Sequence, residues 1–381
     1  MILFVDQSGQ PGGAELCLAD LAEHHRTDSL VLLFAGGPFV GILQRRGIAV
    51  EILPLPEALA RATKTASLLT LAAGLPALAS HVLTLRGKFR QADIIYLNTA
   101  KALLLGTAAN VLLGKPVIFH LHDLWNERHF STANIRLLVT AANRAKAVIA
   151  NSQAVAETFV SVGGRTPVHV IPNGFDPEVF NTIPPEEIAT LRREWNPRGL
   201  LIAAIFGRLS RWKGQDVLIR AAARLQNLTV WIVGDALFTE DDHAYAAELK
   251  ALAKSLGSRI SFLGFRNDVA ALMRAADIIV HCSVSPEPFG RVLVEGMLSR
   301  KPVIAAMAGG PREIVDDGKT GLLVPPGDDQ ALANALAQLA ASPTRREEMG
   351  LCGYERAERL FALPVILKKT DEVITSVLQQ S

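Results

Sequence analysis

The chain has 381 residues, 49% hydrophobic and 20% charged, which argues for two globular domains with ample core and against a disordered chain. Its net charge of +2 gives no reason to expect a nucleic-acid partner. Cys17, Cys282 and Cys352 are scattered, so neither a disulfide framework nor a CxxC zinc site is expected, and a reducing cytoplasm fits best.

The first run, "MILFVDQSG", carries no basic leader and no small-residue cleavage site, so it reads as a strand and not as a signal peptide. Further strands are expected at "SLVLLFAG", "AVEIL", "DIIYLN", "PVIFHL", "AVIAN" and "VHVIP". Between the third and fourth lies "ASLLTLAAGLPALASHVLTL", Ala66 to Leu85, long and apolar but interrupted by Gly74 and Pro76. Arg61, Lys64, Arg86, Lys88 and Arg90 flank it without an intervening acid. Two readings stay open: a helix broken near Gly74–Pro76 and packed on the core, or a basic apolar surface resting on an anionic membrane or a lipid-linked substrate. The stretch Asp176 to Gly199 is charged, rich in Pro and free of strand pattern, as a domain junction should be. The second half repeats the alternation with "LIAAIFG", "LTVWIVG", "ISFLG", "DIIVHC", "PVIAA" and "GLLVP", and the tail after Phe361 reads as a helix.

These runs are short, β-branched and almost continuously apolar, the mark of strands buried on both faces of a parallel sheet. "ADII" occurs at Ala92 and Ala276, and "KPVI" at Lys115 and Lys301, in the same order and at nearly the same offset. The expected fold class is therefore α/β, with two similar doubly wound domains over residues 1–178 and 179–360 and a tail over 361–381. Ligand sites of such sheets lie at the carboxyl ends of the strands, so the residues after strands are the candidates.

The loop "DQSGQPGGAE" places Gly12 and Gly13 before a helix, where a ligand could approach backbone N–H groups; a tight strand-to-helix turn explains the glycines equally well. In "PVIFHLHDLW", His122 and Asp123 fall where a strand should end, whereas His120 belongs to the core. Asn151 follows "AVIA" in the same way, with a helix cap as the competing explanation for Asn151–Ser152. "GRLSRWKG" sets Arg208 and Lys213 between a buried strand and a helix, a pairing of guanidinium and ammonium that suits a diphosphate. Arg266, after "ISFLGF", could border a base. In "SPEPFGRVLVEG", Glu287 lies in a loop and Glu295 about one turn into the following helix, with N–H groups near Gly290, Arg291 and Val292 at its start. Two glutamates so placed could be an acid/base pair or two holders of one ligand.

At these residues the sequence resembles the retaining glycosyltransferases of family 4, over nearly its whole length. "EPFGRVLVE" matches that family's E-x7-E motif and "GRLSRWKG" its diphosphate clamp, with "PGGAE", "NSQAV", "IPNGFD" and "AGGPREIV" in the same order. The resemblance implies the GT-B fold, two Rossmann-like domains facing a deep cleft, with the acceptor on the N-terminal side and a nucleotide-sugar on the C-terminal side. It implies that Arg208 and Lys213 neutralise the diphosphate and that Glu295 holds the ribose. Glu287, with the backbone of Phe289 and Gly290, would hold the donor sugar. It puts the Arg266 backbone at the base, His122 beside the reacting sugar and Gly13 near the diphosphate. It implies no metal and no cofactor beyond the nucleotide-sugar substrate. The first expectation is a UDP-sugar donor, UDP-glucose foremost, and a glycan or lipid-linked acceptor in cell-surface or exopolysaccharide synthesis. The chain would then be cytoplasmic, in part peripheral on the cytoplasmic membrane face. A nucleotide-sugar epimerase and a non-catalytic nucleotide-sugar-binding protein are the alternatives.

Overall fold

Thirteen short apolar runs become thirteen strands, β1 to β13, in a computed structural model that describes residues 1–55, 75–127, 130–236, 239–257 and 259–380. They are Ile2–Asp6, Ser29–Leu33, Val50–Ile52, Ile94–Leu97, Val117–Leu121, Ala147–Ala150 and Val168–Val170 (β1–β7), then Leu201–Phe206, Leu228–Val233, Ile260–Gly264, Ile278–His281, Val303–Ala306 and Gly321–Val324 (β8–β13). The chain divides into two compact units, Met1–Gly174 with Leu363–Ser381, and Phe175–Ala362.

In the first unit seven parallel strands run in the order β3-β2-β1-β4-β5-β6-β7. Alternation along each strand feeds two cores. Leu3, Val5, Leu97 and Phe119 face one side with Trp125 and Phe159. Ile2, Phe4, Tyr96 and Ile118 face the other, where the tail helix Leu363–Gln379 buries Ile366, Val373, Ile374 and Val377. His24 and His25, at the end of the Gly13–His24 helix, each hold one carboxylate oxygen of Asp371 at 2.9 Å and so fasten that tail helix.

The second unit repeats the plan with six parallel strands, β10-β9-β8-β11-β12-β13. Ile202, Ala204 and Phe206 pack with Trp231, Leu293 and Met297 on one face; Ala203 and Ile205 pack with Leu218 and Val230 on the other. Both sheets reverse their winding at one place, between β1 and β4 and between β8 and β11. At such a switch the neighbouring loops leave in opposite directions and open a crevice beyond the strand ends, where doubly wound sheets bind ligands. The fold therefore selects four strand ends before any side chain is considered.

The apolar segment beginning at Ala66 is described only from Leu75, where the helix Leu75–Phe89 starts next to Pro76, a residue tolerated in a first helical turn. Its part before residue 75, with Arg61, Lys64 and Gly74, lies outside the described residues. Among the described residues no helix is long and apolar enough to cross a membrane.

Candidate active site

At the β8/β11 switch the second unit assembles its site from two loops. Loop one follows β8 and carries Arg208 to Gly214. Gly214 has φ +68°, and a Cβ there would lie 2.2 Å from the Cys282 carbonyl oxygen, so glycine lets the loop press against the end of β11. The Val284 amide donates to the Trp212 carbonyl at 2.9 Å, joining this loop to the one after β11.

That junction places Lys213 against Glu287. Lys213 Nζ donates to Glu287 Oε1 at 2.7 Å. Glu287 Oε2 meets His281 Nε2 at 2.5 Å and accepts from Ser283 Oγ at 2.9 Å. Glu287 is 9% exposed, and burial alone would push its carboxyl up. Lys213 and His281 outweigh that cost through their charge and hydrogen bonds, holding it well below the usual carboxylate range. The result is a fixed anion with a fixed cation beside it, stable because each charge is paired and hydrogen-bonded.

The Gly-rich turn "AMAGGP" supports this loop from below. The Gly310 amide donates to the Glu287 carbonyl at 2.9 Å. Gly309 has φ +74°, and a Cβ would sit 2.2 Å from that same oxygen. Gly309→Ala is therefore expected to cost on the order of 2 kcal/mol or more, through strain and forced retreat of the Glu287 backbone. Thermal unfolding beside a turnover assay checks this; both should fall.

Beyond Glu287 the helix Arg291–Leu298 begins after Gly290, whose φ is +106°. Glu295 lies on it, and burial raises its carboxyl despite Arg291, whose Nη2 is 3.5 Å away. The Arg291 guanidinium lies 4.4 Å over the Phe175 ring, and Phe175 stacks on the buried Phe289 at 6.3 Å. Val292 follows Arg291 in the first turn, so the start of this helix, shortly after Glu287 in the chain, offers backbone N–H groups.

Arg208 and Lys213 occupy one loop, and Gln215 Nε2 donates to the Arg208 carbonyl at 2.9 Å. Arg211, between them, turns away to grip Glu248 at 2.8 and 2.7 Å and Asp241 at 3.2 Å on the surface. Arg211→Ala should thus leave turnover within about twofold, as surface changes do; a steady-state assay decides. Arg266 stands after β10, away from the switch, with two bonds to Asp268 at 2.8 and 2.6 Å beside the exposed Phe265 ring.

The first unit builds its own cluster at the β1/β4 switch. Asp6 ends β1, Asn98 follows β4 and His122 follows β5. Asn98 Nδ2 donates to Asp6 Oδ2 at 2.6 Å and to the Ala14 carbonyl at 3.2 Å. Its Oδ1 is therefore the acceptor from His122 Nε2 at 2.9 Å, which puts a proton on that nitrogen. Burial pushes Asp6 up to about 6 against the hydrogen bonds of Asn98 and Ser8. Burial, the charge of Asp6 and, less strongly, Asp123 push Glu15 up to about 7. Gly12 and Gly13 start the helix that carries Glu15; Gly12 leaves room for that carboxylate, since a Cβ would meet Glu15 Oε2 at 2.6 Å. Asn151 follows β6, is 3% exposed, and its amide donates to the Leu121 carbonyl at 3.4 Å; Ser152 beside it caps the next helix by accepting from the Val155 amide at 3.1 Å. His120 is core, as expected, with Nδ1 bonded to Tyr96 Oη at 2.8 Å.

Five residues of these clusters escape the sequence reading: Asp6, Glu15, Asn98, His281 and Ser283. Asp6, Asn98 and His281 stand at strand ends, so the rule that singled out His122 would have found them. Glu15 lies inside the quoted "PGGAE", where the glycines drew the notice.

Residues 11–179 match the family model described as Glycosyltransferase Family 4, and residues 188–356 match Glycosyl transferases group 1. The crystal structure of HepE from Anabaena in complex with UDP-glucose superposes with a TM-score of 0.88 at 40% identity, over 98% of this chain and 99% of that one. This chain belongs to glycosyltransferase family 4. Its two parallel-sheet units and these neighbours are those of the GT-B fold. A lipopolysaccharide core biosynthesis glycosyltransferase, LpsE of Rhizobium meliloti, is 27% identical over 58% of this family 4 chain and 61% of its own length. A D-inositol 3-phosphate glycosyltransferase of Stackebrandtia nassauensis is 33% identical over 56% of this chain and 50% of its own. The chain thus spans about half to three-fifths of the length of these curated relatives.

Proposed function

We propose that this family 4 chain transfers a hexose, with retention of anomeric configuration, from UDP-glucose to a hydroxyl of a glycan or lipid-linked acceptor, in the making of a cell-surface or extracellular polysaccharide. The observation that carries the reading is the Lys213–Glu287 ion pair at the β8/β11 switch. It sets a cation and a sugar-binding carboxylate within one bond of each other. A nucleotide-sugar needs those two groups at the point where diphosphate meets sugar. The UDP-glucose complex of HepE, at 40% identity over nearly the full chain, supports the choice of donor.

In this reading Arg208 and Lys213 hold the diphosphate and Glu295 the ribose hydroxyls. Glu287, with the backbone of Phe289 and Gly290, holds the hexose. Arg266 borders the base. As the bond from the anomeric carbon to the diphosphate oxygen breaks, negative charge grows on the departing UDP. In this reading Lys213, Arg208 and the N–H groups at Arg291 and Val292 face that charge, so that little reorganisation is needed as it forms. The acceptor oxygen bonds the same carbon on the same face, and its proton leaves with the diphosphate. His122 acts on the acceptor side beside the reacting sugar, oriented by Asn98. Cations and helix N–H groups supply the stabilisation that a metal gives elsewhere, so transfer is expected to survive chelation. Association with the cytoplasmic membrane face would run through the basic, apolar stretch from Arg61 to Arg90.

The test is to incubate the protein with UDP-glucose in EDTA, without acceptor, and follow UDP and sugar by proton NMR. Slow release of UDP with α-glucose as the first-formed anomer is the expected result. Conversion to another UDP-sugar without UDP release would contradict transfer and favour an epimerase; binding without any turnover, with or without added acceptors, would favour a non-catalytic role.

A further inference from the structure

The Gly13–His24 helix starts at the β1/β4 switch and ends about 18 Å further on, shortly before β2 begins. There the chain leaves helical geometry at His25, with φ −100° and ψ 20°. Successive side chains of an unbroken helix point about 100° apart and do not meet. The break lets both imidazoles reach one target. Their ring centroids lie 4.8 Å apart, edge to face at 75°, and each Nε2 stands 2.9 Å from a different oxygen of Asp371 on the tail helix.

Among the described residues this is the one group of His, Cys, Asp or Glu side chains whose donor atoms gather as a metal site requires, all within 4.8 Å of one another. Donors about 2.0–2.2 Å from a zinc ion stand about 3–4 Å apart, so small rotations of three side chains admit one. Two further features fit a ligand set better than a plain hydrogen-bonded pair. His25 is half-buried, its ring centroid 6.5 Å from that of Phe4, and its second nitrogen, Nδ1, lies 3.9 Å from Asp28 Oδ1. Ligating histidines turn their second nitrogen to a carboxylate, a carbonyl or water. An ion on Nε2 moves the ring proton to Nδ1, the side where Asp28 stands. His24 is exposed, which leaves room for water as a fourth ligand, and the negative end of the helix dipole favours a cation there.

We propose that His24, His25 and Asp371 bind a zinc ion that ties the tail helix to the rest of the first unit. Two imidazoles with one carboxylate suit zinc and its first-row neighbours, whereas magnesium and calcium take oxygen ligands. The ion is structural. The site sits at the end of its helix opposite to Gly13, apart from the strand-end cluster, so the proposal neither needs the transferase reading nor alters the expected survival of transfer in EDTA.

The test uses the full chain, stripped with EDTA and dialysed, with zinc sulfate as the probe. Calorimetry should show a single equivalent bound in the micromolar range, undisturbed by a large excess of magnesium. His24→Ala and Asp371→Asn should each weaken that binding about a hundredfold. Zinc should raise the melting temperature of the wild type by a few degrees and slow amide exchange in the tail helix, and should do neither in the variants. Asp371→Asn keeps an oxygen for one histidine, so without zinc it should melt within a few degrees of the stripped wild type. Zinc binding only at millimolar concentration, binding that persists in both variants, displacement by magnesium, or bound zinc that leaves tail-helix exchange unchanged overturns the proposal.

Discussion

Lys213→Ala is expected to lower kcat for sugar transfer about a hundredfold or more, the loss of one strong contact to a developing anion in a preorganised site. The same change removes the cation that holds Glu287 ionised. Glu287 keeps His281 and Ser283, so the stability cost should be about 2 kcal/mol, below the usual price of breaking a buried pair. Its pH dependence has a defined sign. A carboxyl depressed by folding contributes stability above its ordinary pKa near 4.5, lost as pH falls through the folded value. In Lys213→Ala that acid-sensitive contribution should shrink. Adding Glu287→Gln removes the stranded charge, so the double variant should regain most of the stability and none of the activity. Urea unfolding at several pH values together with initial rates separates the two effects. A double variant that regained turnover would show that Lys213 serves only to neutralise Glu287.

Glu15→Gln is the second large effect, with the opposite sign. Folding raises the Glu15 carboxyl from 4.5 to about 7, chiefly by burial and then by the charge of Asp6. A raised acid contributes stability that is fully present below its unfolded pKa and is lost as pH climbs through the folded one. The wild type should therefore lose on the order of 2 kcal/mol between about pH 4.5 and pH 7 relative to the variant. Glu15→Gln should match it near pH 4 and exceed it at pH 8. A carboxyl that titrates near neutrality at a strand-end crevice can also hold or release a proton at working pH. The pH–rate profile of the variant should accordingly lose a limb near pH 7. Melting curves at pH 4, 6 and 8 check the stability claim; parallel shifts of both proteins across that range would contradict it.

The strands were legible because parallel strands buried on both faces read as apolar runs with no alternation to disguise them, and all thirteen runs became strands. Strand order was not legible, since nothing in "ILFVD" or "LIAAIFG" says which neighbour it will pair with. The switch points, and with them the reason for Asp6, Asn98 and His281, appear only when β1 meets β4 and β8 meets β11. "SPEPFGRVLVEG" announced Glu287 and Glu295, but not that Glu287 is bonded to Lys213, a residue 74 positions earlier. "AGGPREIV" showed its glycines but not their use: Gly309 and Gly310 yield to the Glu287 backbone. Side-chain partnerships across loops depend on packing that no local pattern encodes.

If Lys213 and Glu287 form the grip on a nucleotide-sugar, equilibrium titration of UDP-glucose shows it most directly. Wild-type protein should bind saturably, and Lys213→Ala should bind about 10- to 100-fold more weakly, the value of a charge-assisted contact. Equal affinity in the two proteins, or no binding by either, would contradict the account.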